Sequence, residues 1–138
     1  MYSSGTADRP MRVPNFSAFD DEGNLYVTDS GEWGSGDGLI YRIAPDGTTT
    51  VWTDVPSRFP NGCCLLADGG SLYLVESKGR AISRIAIGDD GSAGSIEQIA
   101  DFTGSVALVR TWVGPRRRGH PARRSPRHRW PAVPRRAS

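Results

Sequence analysis

The chain has 138 residues, 17 Lys and Arg, 15 Asp and Glu, and a formal net charge of +2. That near-balance hides a segregation: residues 107–138 hold ten arginines and no acid, so residues 1–106 carry seven basic and all 15 acidic residues, a net of −8. An acidic body argues against a nucleic-acid-binding domain there, the length allows one small domain, and no run approaches the roughly 18 apolar residues of a membrane span.

The first residues lack a charged stretch followed by an apolar one, so no signal peptide is expected. Apolar runs then alternate with turn signals along the body. Asp20-Asp21-Glu22-Gly23 precedes Leu25-Tyr26-Val27-Thr28. Leu39-Ile40-Tyr41-Arg42-Ile43 follows, then Pro45-Asp46-Gly47, then Thr49-Thr50-Val51-Trp52. The second half reads Asp68-Gly69-Gly70, Leu72-Tyr73-Leu74-Val75, Ala81-Ile82-Ser83-Arg84-Ile85 and Asp89-Asp90-Gly91. Each run is short, partly alternating and rich in β-branched or aromatic residues, the pattern of a strand. The Asp-Gly pairs are hairpin punctuation. No segment has an apolar period of 3.6 residues, so almost no helix is expected. Two adjacent cysteines, Cys63 and Cys64, make no disulfide framework, and a reduced, cytoplasmic setting is the default expectation.

An internal repeat organises these elements. Pro14-Asn15-Phe16, followed by Asp21-Glu22-Gly23-Asn24-Leu25-Tyr26-Val27-Thr28-Asp29-Ser30, recurs as Pro60-Asn61-Gly62 followed by Asp68-Gly69-Gly70-Ser71-Leu72-Tyr73-Leu74-Val75-Glu76-Ser77. The offset is 46 residues at the Pro-Asn pair and 47 at the strand, and Ile40-Tyr41-Arg42-Ile43-Ala44 matches Ile82-Ser83-Arg84-Ile85-Ala86. A four-stranded unit repeated at roughly 40–50 residues is the signature of a β-propeller blade. The predicted fold is therefore all-β: a partial propeller of about two antiparallel blades over residues 12–106, with repeats near 14–52 and 60–101. Residues 1–11 are read as the end of a truncated preceding blade or as disordered. Two blades cannot close a ring, so exposed blade faces and self-association are expected.

Phe59-Pro60-Asn61-Gly62, the strand ending in Glu76-Ser77, Arg80-Ala81-Ile82-Ser83-Arg84 and Asp90-Gly91-Ser92-Ala93-Gly94 together resemble the SMP-30/gluconolactonase/LRE-like family. The resemblance covers about residues 12–106. It implies a six-bladed parent propeller, a divalent metal (calcium or zinc) in the central channel, and hydrolysis of a small-molecule sugar lactone or related ester. Carried over by position, Asn61 matches the family's metal-binding Asn and Asn15 its substrate-binding Asn; Asp29 is a weaker candidate. The family's early metal-binding Glu would fall upstream of Met1. Its later Asp is expected near Val106, where the chain reads Ala107-Leu108-Val109-Arg110, and Val13 stands where some members carry an Arg. One ligand of three does not build a metal site, so the chain is expected to be a fragment with little or no activity. The alternative is a non-enzymatic propeller scaffold of the NHL-repeat or strictosidine-synthase-like kind, because fold does not fix chemistry.

Each candidate also has a plainer reading. Asn15 and Asn61 could simply hold turns, since Asn tolerates the left-handed region, and Asp29 and Glu76 could cap strand ends. Cys63 and Cys64 are read as packing residues, one facing the core and one the neighbouring sheet. His120 and His128 have no carboxylate or Cys nearby in sequence and receive no metal or catalytic role.

Arg, Pro, Ala and Gly dominate residues 107–138, a composition that cannot bury enough surface to offset its ordering entropy, so this tail is expected to be disordered. Ten arginines with Trp112 and Trp130 could form a nucleic-acid-binding arm or a solvated linker. The favoured reading is a frameshift, because those four residue types are what a GC-rich gene yields out of frame.

Overall fold

A computed structural model describes residues 3–102 of the chain. The tail read as disordered lies outside the described residues, together with both histidines. Eight strands follow one another: β1 (Pro14–Phe19), β2 (Leu25–Asp29), β3 (Leu39–Ile43), β4 (Thr49–Thr53), β5 (Pro60–Leu65), β6 (Ser71–Glu76), β7 (Ala81–Ile87) and β8 (Ala93–Asp101). They form two four-stranded sheets, ordered β1-β2-β3-β4 and β5-β6-β7-β8. Every neighbouring pair is antiparallel. Each repeat is thus one up-and-down blade of a partial propeller.

The turns form for a local reason used four times. Asp20 Oδ1 accepts the N–H groups of Glu22 and Asn24 at 3.0 and 2.8 Å. Asp46, Asp68 and Asp90 each accept the N–H two residues on, at 2.8, 2.9 and 3.0 Å. Gly23, Gly47, Gly69 and Gly91 then take φ of 84°, 88°, 73° and 78°, a region that costs a residue with a Cβ.

The sheets pack face to face. Tyr26 and Ile40 of the first meet Cys63, Leu72, Leu74 and Ile85 of the second in one buried cluster. Tyr26 stands edge-on to Trp52, ring centres 5.0 Å apart, and the Trp52 Nε1–H donates across the sheets to the Gly91 carbonyl at 2.8 Å. The strands that approach across this interface are β1 and β5, with β2 also near β5. Cys63 points into the core, where burial pushes its thiol pKa up to about 12; Cys64 is half-buried on the far face of the second sheet.

The two outer faces differ. On the first sheet, Val27, Leu39, Tyr41 and Ile43 are buried, with Met11 packed against them. Residues 3–13 lie over this face: the Tyr41 hydroxyl donates to the Arg9 carbonyl at 2.7 Å, and the Ser3 and Thr49 hydroxyls are 2.7 Å apart. On the second sheet, Cys64, Tyr73, Val75, Ile82 and Ile99, with Phe16 of β1, line an apolar cleft of about 150 Å³. Three strands beyond the sequence-predicted runs complete the blades. β1 and β5 open the two repeats, and β8, with Ile96 and Ile99 exposed and no clean alternation, is a strand because β7 templates it.

Candidate functional site

Both Pro-Asn pairs and both acid-Ser pairs lie at the same end of the sheets, because the start of each repeat's first strand pairs with the end of its second. Pro14 faces Asp29 and Pro60 faces Glu76. The register breaks at once in both repeats. It shifts between Pro14 and Phe16, at Asn15, and between Pro60 and Cys63, across Asn61 and Gly62. A bulge takes a residue out of the ladder and re-aims its side chain.

Each asparagine is then oriented in the same way. Asn15 Nδ2 donates to Ser30 Oγ at 2.9 Å, and Asn61 Nδ2 donates to Ser77 Oγ at 2.9 Å. With the amide nitrogen engaged, neither Oδ1 accepts a hydrogen bond among the described residues, so each Asn presents a carbonyl oxygen. The two repeats are also stitched together at this level. Ser30 Oγ donates to the Pro60 carbonyl at 2.6 Å and Thr28 Oγ1 to the Asn61 carbonyl at 2.9 Å.

The acids at this end are engaged. Asp29 accepts main-chain N–H groups from Arg12 (2.7 Å), Val13 (2.9 Å) and Gly31 (3.1 Å), which spends both carboxylate oxygens on holding the loops. Glu76 does the equivalent for Arg58 at 3.0 Å. Burial raises the Glu76 carboxyl above its usual pKa, against the opposing pull of that N–H. Asp37 is held by the Ser35 hydroxyl, the Glu32 N–H at 3.0 Å and the Arg12 guanidinium at 2.6 Å. The Ser35 bond, foremost, lowers its pKa.

Three loops roof this end. Trp33, between β2 and β3, packs edge-on against Phe59 with ring centres 4.7 Å apart, and Lys78 Nζ lies 5.4 Å from the Trp33 ring centre. Beneath them a cleft of about 320 Å³ is lined by Trp33, Arg58, Ser77, Lys78, Gly79 and Arg80. In sequence, Phe59 and Arg80 stood out only as parts of the family motif, and Trp33 and Lys78 not at all, because their meeting joins loops 26 and 45 positions apart.

A larger cleft, about 600 Å³, opens at the opposite end among three of the four turns, those at Asp20, Asp68 and Asp90. It does not reach Asn15 or Asn61, and the Asp20, Asp68 and Asp90 carboxylates there already hold their own turns. The metal implied by the sequence resemblance finds few donors among the residues present. Two amide oxygens supply too few donors where calcium takes six to eight. Among the described residues no group of three or more His, Cys, Asp or Glu is placed to hold a metal ion. The described residues therefore do not fit a complete metal site, and no catalytic step is assigned to a metal on these two sheets. Nor, among the described residues, is any helix long and apolar enough to cross a membrane.

Residues 2–109 match the family model described as the SMP-30/Gluconolactonase/LRE-like region. A comparison with curated protein sequences finds no match. Among solved structures, a gluconolactonase of Xanthomonas campestris superposes with a TM-score of 0.62 at 19% identity, over 75% of this chain and 39% of its own. A structural-genomics protein assigned as a gluconolactonase gives 0.60 at 20% identity, over 70% and 37%. A luciferin-regenerating enzyme gives 0.53 at 17% identity, over 62% and 30%. At these identities the likeness concerns the fold, and the chain spans less than two fifths of the length of each.

Proposed function

Because the chain belongs to the SMP-30/gluconolactonase/LRE-like family, we propose that it carries two blades of a lactonase-type hydrolase, which opens a sugar lactone or a related ester. The observation that supports this reading is the duplicated asparagine: bulged at the same register in both repeats, with its amide nitrogen tied to a serine and its carbonyl oxygen presented. A carbonyl oxygen suits a hard divalent cation or a substrate hydroxyl. In this reading Asn61 is one of several ligands to calcium or zinc, the others lying outside the two sheets, and Asn15 orients the substrate.

The chain by itself is expected to have little or no lactonase activity, even with excess calcium or zinc, because a lone amide oxygen competes poorly with water for a dication. The reading is tested by NMR on the ¹⁵N-labelled chain titrated with the neutral lactam analogue of a sugar lactone. The side-chain amides of Asn15 and Asn61 shift first, and the response disappears in Asn61→Ala. Shifts confined to the turns at the opposite end, or unchanged in that variant, refute it.

A further inference from the structure

The body holds seven basic residues, and their placement is uneven. Arg9, Arg12 and Arg84 each lie within 4.0 Å of a carboxylate. Arg42 sits among the acidic turns at the far end. The remaining three, Arg58, Lys78 and Arg80, converge on the cleft under Trp33, and none of them has a carboxylate within ion-pair distance among the described residues. The acid behind them, Glu76, is buried and turned to the Arg58 main-chain N–H. Glu32 is next to Trp33 in the chain, and Asp37 is paired with Arg12. Glu76 feels the Arg58 charge without closing an ion pair with it, so the three clustered cations are only partly offset, a disposition that an incoming anion relieves.

A second observation points to the same place. Among the described residues, only two positions other than glycine have positive φ: Phe59 at 63° and Arg80 at 54°. Arg80 lines the cleft, and Phe59 braces the Trp33 ring above it. A residue with a Cβ stays in that region only where its surroundings impose it, and such strain collects at ligand clamps. Main-chain hydrogen bonds impose it. Gly79 N–H donates to the Arg58 carbonyl at 3.2 Å, Ser77 N–H to the Phe59 carbonyl at 3.1 Å and Phe102 N–H to the Arg80 carbonyl at 2.9 Å. Trp33 is 52% exposed although it is packed against Phe59, so part of its ring surface remains open to a ligand.

We infer that this cleft is an anion subsite: Arg58, Lys78 and Arg80 take the carboxylate or phosphate of a substrate whose apolar face rests on Trp33. The cleft shares Ser77 with the Asn61 pair, so an anion held there is one side chain away from the candidate site. The inference rests on the lactonase-type reading and narrows it, favouring anionic lactones or esters over neutral ones. Lys78 supplies a point charge above an aromatic face, and the two arginines supply forked donors that match either oxyanion.

The test uses the full ¹⁵N-labelled chain at low salt, titrated separately with D-gluconate, inorganic phosphate and neutral sorbitol. The Trp33 indole N–H and the Arg58 and Arg80 Nε–H signals are followed individually, which separates this cleft from the ten arginines of residues 107–138. The expected result is a shift with gluconate, phosphate or both, none with sorbitol, and a loss of affinity as salt is raised. Which anion binds more tightly assigns the group as carboxylate or phosphate. In the double variant Arg58→Ala, Lys78→Ala the dissociation constant rises about tenfold or more, and Lys78→Glu alone does the same with the fold checked by circular dichroism. Equal responses to sorbitol, shifts confined to the tail arginines, or unchanged affinity in a folded variant overturn the inference. Anion binding that leaves the Asn15 and Asn61 amides indifferent to the neutral lactam sustains the subsite and sinks the hydrolase reading. A lactam response without anion selectivity does the reverse.

Discussion

Asp29→Ala removes the tether that holds residues 3–13 over the first sheet. The carboxylate is 3% exposed and accepts three main-chain N–H groups, from Arg12, Val13 and Gly31. A hydrogen bond to a charged acceptor contributes about 1.5–3 kcal/mol net, and a buried donor left unpaired costs about 1–3 kcal/mol. The Arg12 and Val13 amides lie near the surface and can turn to water, so most of their loss is recovered. The Gly31 bond is buried, so the loss of its acceptor carries most of the cost. The sum is a destabilisation of about 2–4 kcal/mol, which in a body of this size lowers Tm by roughly 10–25 °C. Urea unfolding followed by circular dichroism measures the first quantity. Hydrogen exchange locates it: Arg12, Val13 and Gly31 lose protection together, and the segment frays from Tyr41. Asp29→Asn, which keeps one oxygen acceptor, falls between the variant and the wild type. A folded Asp29→Ala chain within about 0.5 kcal/mol of wild type, with those amides still protected, would refute the tether.

Two further outcomes follow from burial. Because desolvation raises the folded-state pKa of Glu76 above 4.5, the folded chain holds that proton more tightly than the unfolded one, and Glu76 subtracts stability as pH rises through the raised value. Glu76→Gln keeps an acceptor for the Arg58 N–H and cannot ionise, so its stability relative to wild type should improve between about pH 4 and pH 7 in paired urea titrations; a flat or falling difference contradicts the assignment. On the open face of the second sheet, Ile82→Asp should reduce concentration-dependent self-association in sedimentation velocity. The same change at Ile43, buried under residues 3–13, should unfold the chain instead. A monomeric wild-type chain would remove the basis of that expectation.

The elements that sequence alone determined are those whose cause is local. An Asp two residues ahead of an N–H and a glycine free to take positive φ make a turn wherever they occur, so the hairpin tips at Asp46-Gly47, Asp68-Gly69 and Asp90-Gly91 were legible, as were the alternating strands between them. The repeat carried the blade architecture, because one pattern written twice must satisfy one geometry twice. It also held a signal that passed unread: each Asn is followed 15 or 16 positions later by a Ser, the partner that orients its amide. What tertiary structure decided depends on neighbours that the sequence does not order. β8 is a strand because β7 offers it a ladder, and Asp29 became a loop tether because the fold brings Arg12 and Val13 to it. The bulges that re-aim Asn15 and Asn61 arise from register between strands. Trp33, Phe59, Lys78 and Arg80 have no common pattern along the chain. Only the closing of separate loops at one end of the sheets puts an aromatic wall and clustered positive charge beside the asparagines, since charge and burial are properties of the space between segments.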